Sequence, residues 1–149
     1  MPEENIRHFK NISFVGNGIK VDIKLDRVNK NINRAQFWLD SQIMMDMMPY
    51  MPQNTGTFVN LTQAQSAAIA GSGTVIAAAP PMGRFLYMGK VMVDPETGSP
   101  FARPGAKKIV KEQPLNYSNP KATPMWFDTA KEKNIKQWVA GVQKRVGGE

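Results

Sequence analysis

The chain has 149 residues, 42% of them hydrophobic, enough for one domain with a packed core and too few for two of similar size, so a single domain over 1–149 is expected. It contains no cysteine, which removes disulfides, zinc–thiolate sites, iron–sulfur clusters and cysteine nucleophiles together. The net charge is +7, and it is unevenly spread: residues 1–100 carry nine Lys/Arg against eight Asp/Glu, and residues 101–149 carry ten against four. Such asymmetry points either to contact with a polyanion or an acidic protein face, or to a solvated Lys-rich surface. The opening Pro2-Glu3-Glu4 lacks the basic start of a secretory signal, and no apolar run is long enough to cross a bilayer, so a cytosolic chain with no membrane partner is expected.

Taken in chain order, Ile12 to Val21 reads as a β-hairpin. Ile12 and Phe14 alternate with polar positions, Gly16-Asn17-Gly18 supplies a turn with positive φ, and Ile19 and Val21 resume the alternation. With the residues before it, this hairpin forms an N-terminal extension over 1–22. From Asp26 to Met48, Val28, Ile32, Ala35, Leu39, Ile43 and Met47 recur at steps of three and four, opposite Arg27, Lys30, Asn31 and Arg34, which predicts a long amphipathic helix. Pro49 should end it near Met48. The end of this helix is apolar on more than one side, through Trp38, Met44, Met45, Met47 and Met48. These residues pack as flexible core filler or face a neighbouring subunit.

Thr57 to Ala79 is rich in Thr, Val, Ile and Ala around Gly71-Ser72-Gly73 and reads as two β-like runs joined by a turn; Arg84 to Val93 reads as a further strand after the Pro80-Pro81 break. The short connections predict antiparallel pairing. Asp94 to Pro100 and Arg103-Pro104-Gly105 are turn sequences, giving a long basic loop over 94–108 before an extended run from Lys107. Asp94 and Glu96 lie close together there but lack the further oxygen ligands of a cation site. The last element is a helix opened by Thr123-Pro124 and running to about Arg145, with Phe127, Ala130, Ile135, Trp138, Val139 and Val142 on one side and Lys131, Lys133, Lys136 and Lys144 on the other. Trp126 either anchors this helix in the core or points into a neighbour.

Side-chain catalysis needs a base or nucleophile with a tuned partner, and the single histidine, His8, sits near the N-terminus with no second histidine to complete a metal site. No catalytic constellation can be assembled, so the sequence predicts a non-enzymatic protein without cofactor or metal.

Three segments are specific. Pro52-Gln53-Asn54-Thr55-Gly56-Thr57-Phe58, placed after the long helix, resembles the helix-exit motif of the minor capsid, neck and tail-completion proteins of long-tailed bacteriophages. Pro81 to Gly89 is similar to a second motif of that family, with Met82-Gly83 in place of Tyr-Ala and with Phe85 and Met88 in place of tyrosines. Val93-Asp94-Pro95-Glu96-Thr97-Gly98-Ser99, Ala102-Arg103, Gly105-Ala106-Lys107-Lys108, Pro114-Leu115-Asn116-Tyr117 and the segment Pro124 to Lys131 follow at the spacings of such proteins from phages of Gram-positive bacteria.

The resemblance implies an α+β domain in which the long helix packs on an antiparallel β-sheet with a C-terminal helix beside it. It further implies a virion protein of the neck, assembled in the host cytoplasm as a homo-oligomeric ring of six or twelve copies between portal and tail. In such a ring Trp38, Met44, Met45, Met47, Met48, Arg84 and Tyr87 are the candidate subunit interface. Arg103, Lys107, Lys108 and Lys111 would line the DNA channel or meet the adjacent connector, portal or tail protein. The competing reading from the residues alone is a basic nucleic-acid-binding module, monomeric or dimeric, using Trp126, Phe127 and Trp138, although neither a recognition helix nor an aromatic RNA-binding motif is present.

Overall fold

The computed structural model describes residues 7–53 and 56–148. The element order is β1 (Ile12–Gly16), β2 (Ile19–Ile23), α1 (Asp26–Met47), a 3-10 turn at Met48–Tyr50, α2 (Thr57–Ala68), α3 (Gly83–Met88), β3 (Lys90–Val93), β4 (Ile109–Pro114) and α4 (Trp126–Val146). The α+β class expected from the sequence is the class observed. Its strands form two separate two-stranded antiparallel sheets, β1–β2 and β3–β4. The principal partner of α1 is α4.

The β1–β2 turn has positive φ at both Asn17 and Gly18, the backbone a two-residue hairpin loop requires to match strand twist. Its base is clasped to the start of α1. The Phe9 N–H donates to the Asn29 Oδ1 at 2.8 Å while the Asn29 amide donates back to the Phe9 carbonyl at 2.7 Å, and the Leu25 N–H donates to the Asn11 Oδ1 at 2.8 Å. α1 then runs to Met47, and Pro49 tightens the chain into a 3-10 turn in place of another helical turn.

Helices α1 and α4 lie antiparallel, as three contacts along their length fix. Near the α1 start the Asn31 amide donates to the Val146 carbonyl. At mid-length the Trp38 indole lies against Gly141, where a Cβ would overlap the ring, and the Arg145 guanidinium stacks over the same ring at 4.0 Å from its centroid. Towards the α1 end the Trp138 Nε1 donates to the Asp46 Oδ2 at 2.7 Å, and its ring stacks on Phe127. The core continues from this seam through Met44, Met47, Met51, Val59 and Ala130 to Trp126, which is fully buried. Trp126 therefore anchors α4. Its Nε1 donates to the Ala77 carbonyl at 2.8 Å, and its ring meets Tyr87 and Phe58 edge-on.

Three sequence expectations change. Thr57 to Ala68 is a helix where a strand was expected, because its buried positions, Val59, Thr62 and Ser66, repeat at helical spacing while two of the three are hydroxyl residues that leave no apolar stripe. Those hydroxyls serve as acceptors: Thr62 Oγ1 for the Ala79 N–H at 3.1 Å and Ser66 Oγ for the Ile76 N–H at 3.2 Å. This pins 75–79 as an irregular segment across α2, where a second β-like run was expected. The strand read over Arg84 to Val93 divides into α3 and the short β3, and the break is Gly89, whose φ of 68° ends the helix. α4 starts at Trp126, later than Thr123-Pro124, because Met125 takes a left-handed conformation and gives its N–H to the Tyr87 carbonyl at 2.8 Å.

Asp40 was unmarked in the sequence reading, yet it is 3% exposed and holds the loop after α2. Its carboxylate accepts from the Gly71 N–H at 2.8 Å, the Gly73 N–H at 3.1 Å and the Gln36 amide at 2.7 Å. Asp40→Ala should cost about 1–3 kcal/mol by stranding those N–H groups, and hydrogen exchange at Gly71 and Gly73 should accelerate in step. Gly141→Ala should lower thermal stability by about 1–3 kcal/mol through overpacking against Trp38. An unchanged melting temperature would show that the indole moves aside freely.

Candidate functional site

The residues expected at a subunit interface separate into two groups. Met44 and Met47 belong to the chain's own core, at 4% and 0% exposure, and have no surface to offer a neighbour. Trp38 and Tyr87 are half-buried, Trp38 against Gly141 and Arg145 and Tyr87 against Trp126. Burial, followed by the negative charge of Asp128, raises the Tyr87 phenol above its ordinary pKa. Met48 is half-buried against the core, while Met45, 60% exposed, and Arg84 face outward. The face is thus core on one side and open chiefly at Met45.

The 94–108 excursion runs from the end of β3 to the start of β4 and is organised by one carboxylate. Asp94 is fully buried. Its Oδ1 accepts from the Glu96 and Thr97 N–H groups at 2.8 and 3.2 Å, and its Oδ2 accepts from the Arg103 N–H at 3.0 Å and Arg103 Nε at 2.9 Å. The Arg103 guanidinium continues to Glu96. The backbone and side chain of Arg103, then the N–H groups of Glu96 and Thr97, hold the Asp94 carboxyl well below the usual carboxylate range.

Arg103, expected at a DNA channel or partner ring, thus spends its charge inside the loop against two acids. Lys107 and Lys111 are exposed, and Lys108 lies over the Phe85 ring at 5.2 Å. At the loop tip Phe101 is 84% exposed. The aromatic residues that favoured base stacking, Trp126, Phe127 and Trp138, are drawn into the core, Phe127 partly.

His8 hydrogen-bonds to Asn33 at 2.6 Å. Among the described residues no group of three or more His, Cys, Asp or Glu is placed to hold a metal ion, and no helix is long and apolar enough to cross a membrane.

What the sequence reading did not separate out is the exposed apolar surface. In β1–β2 the paired residues Ile12 and Ile23, Phe14 and Val21, and Gly16 and Ile19 share one face, and the opposite face carries Ser13, Asp22, Val15 and Lys20. Each large side chain of the first face is 39–63% exposed. A second apolar surface lies along the α1–α4 seam, lined by Leu39, Ile43, Ile135, Trp138, Val139 and Val142. The alternation of β1 and β2 was visible; that both strands turn the same apolar face to water was not, because this depends on what lies beside the ribbon.

The Asp94 clasp has a definite pH dependence. Its folded pKa lies below the unfolded value of about 3.9, so the stabilisation is fully present above that value and is lost as pH falls towards the folded one. The amide resonances of Glu96, Thr97 and Arg103 should hold from neutral pH through about pH 4 and shift only well below it, as pH falls towards the folded pKa of Asp94. Asp94→Asn should loosen the same amides already at pH 7.

Compared with known proteins, the chain matches the family model described as minor capsid protein over residues 17–146, from the turn of the hairpin to the end of α4. No curated protein and no solved structure matches it. The matched span takes in every helix of the fold and the Asp94 loop, and the chain belongs to the minor capsid protein family, whose members are structural proteins of the virion.

Proposed function

We propose that this minor capsid protein acts at the neck of a tailed bacteriophage, where copies of it close into a ring that joins the head, at the portal, to the tail and surrounds the DNA channel. The observation that carries this reading is the presence of two different unburied apolar surfaces on one small domain, the β1–β2 face and the α1–α4 seam. A ring built by rotation joins unlike surfaces head-to-tail, so each subunit must carry both. A two-fold dimer would need only one self-complementary patch.

The basic final third supports a channel or an acidic docking partner. With Arg103 paired to Asp94 and Glu96, the exposed cations that remain in the final third are Lys107 and Lys111 on the β3–β4 side, Lys121 before α4, and Lys131, Lys133, Lys136 and Lys144 on α4. Such cations attract phosphate without reading base sequence. The rival reading, a monomeric or dimeric nucleic-acid-binding module, is weakened because its stacking aromatics pack inward.

The test is to place the protein in the particle. Labelled antibody or an image of the intact virion should find it in several copies at the head–tail junction, and phage lacking it should accumulate unjoined heads and tails. Signal distributed over the capsid shell would overturn the neck placement. Lys107→Glu with Lys111→Glu should leave the fold unchanged and reduce the yield of joined particles at least tenfold; normal yields would show that these lysines are only solvated surface. Arg103 is excluded from this variant because its loss would undo the Asp94 loop. A purified monomer that bound duplex DNA with a steep salt dependence would favour the nucleic-acid reading instead.

A further inference from the structure

Resting on the reading of the chain as a ring subunit, we propose that the apolar face of the β1–β2 ribbon of one copy packs onto the α1–α4 seam of the next copy. This contact would be the one that closes the ring.

The ribbon is the least self-sufficient part of the fold. A lone two-stranded hairpin is at best marginally stable in water and needs a layer against its apolar face. Here that face consists of Ile12, Phe14, Ile19, Val21 and Ile23, exposed by 53%, 60%, 63%, 39% and 45%. Together these leave roughly 400–500 Å² of apolar surface in water, as much as the largest patch a monomer normally exposes and over half of the ~800 Å² per partner of a standard interface. The opposite face is already satisfied, with Ser13 donating to Asp22 at 2.6 Å and Lys20 paired to Asp22 at 3.3 Å. The ribbon thus has one wet face and one face made to be covered.

Its own chain does not cover it. Asn11 and Asn29 tie the two ends of the ribbon to the first turns of α1, and within this chain its apolar face stays open to water. The α1–α4 seam is the second open surface, with Ile135 39% and Val139 48% exposed above half-buried Leu39, Ile43 and Val142. Two packed helices lie about 8–10 Å apart, and two strands about 5 Å apart carry side chains across a similar width. One strand layer on one helix pair is an ordinary packing of such elements. Because ribbon and seam are different surfaces of the same molecule, each contact leaves one ribbon and one seam open for the next copies on either side. The contact is heterologous and propagates into a closed ring or an open helix.

The chain's lack of cysteine permits a direct test by disulfide trapping on the purified full-length protein. Phe14→Cys and Val139→Cys are made separately, mixed at high concentration and oxidised. Val15→Cys, on the polar face of the ribbon, serves as the control. The expected result is a covalent dimer between Phe14→Cys and Val139→Cys, several-fold above the Val15→Cys mixture, and a ladder of multimers from the Phe14→Cys/Val139→Cys double variant.

Equal linking from Val15→Cys, self-linking of Phe14→Cys alone, an internally linked monomer from the double variant, or no selective link would each overturn the proposal. Thermal melting of each variant checks that it remains folded, and Ile135→Cys is a second seam position should Val139→Cys disturb α4. The neck reading is judged separately, by where the protein sits in particles: a neck location without selective linking would sink the ribbon–seam contact and leave that reading standing.

Discussion

Everything in this fold is referred to the antiparallel seam between α1 and α4. These helices lie far apart in sequence, and neither could bury its apolar stripe alone. Close approach at mid-length requires that position 141 have no side chain, so that the Trp38 indole can lie against the α4 backbone. The Arg145 guanidinium stacks over the indole, and Trp138 reaches back to Asp46. A helix pair held at both ends and in the middle is a rigid platform, and the smaller elements are placed by reference to it. Trp126, at the first position of α4, extends the platform into the layer formed by α2, α3 and the segment before α3.

Polar side chains do much of the remaining placement. Asp40 fixes the loop after α2, Thr62 and Ser66 fix the segment that follows, and Asp94 folds the long loop between β3 and β4. Each accepts hydrogen bonds from backbone N–H groups that regular secondary structure does not satisfy, and burial makes such groups costly to leave unpaired. Among the described residues no buried side-chain polar atom lacks a partner. A small domain with little sheet and no cysteine thus orders long irregular connections through buried polar side chains. The ribbon and the seam carry two of the apolar surfaces that this chain leaves open to water.

Membership of the minor capsid family and the physical character of the surfaces point the same way. A virion protein of this size acts through contacts, and the contacts on offer are apolar on two sides and basic in the final third. The basic loop over 94–108 is organised within itself, with Arg103 serving Asp94 and Glu96. The exposed charge lies instead on Lys107, Lys111 and the α4 lysines.

The amino-acid sequence by itself determined the hairpin, the two long helices, the loop between residues 94 and 108 and the α+β class. Each is written in a local code: alternation about a positive-φ turn, a 3.6-residue apolar period, or proline and glycine at fixed offsets. The family resemblance was likewise visible in short motifs, and residues 17–146 match the family model. What only tertiary structure decided is α2, α3 and the fate of individual side chains. In α2 the buried positions are partly hydroxyls whose burial is compensated by N–H groups distant in sequence, so hydropathy alone carries no helical period there. Met44 and Met45 are adjacent and chemically identical, yet one is core and the other surface. Helical geometry points them about 100° apart, and the packing of the other elements around α1 settles which of them is covered.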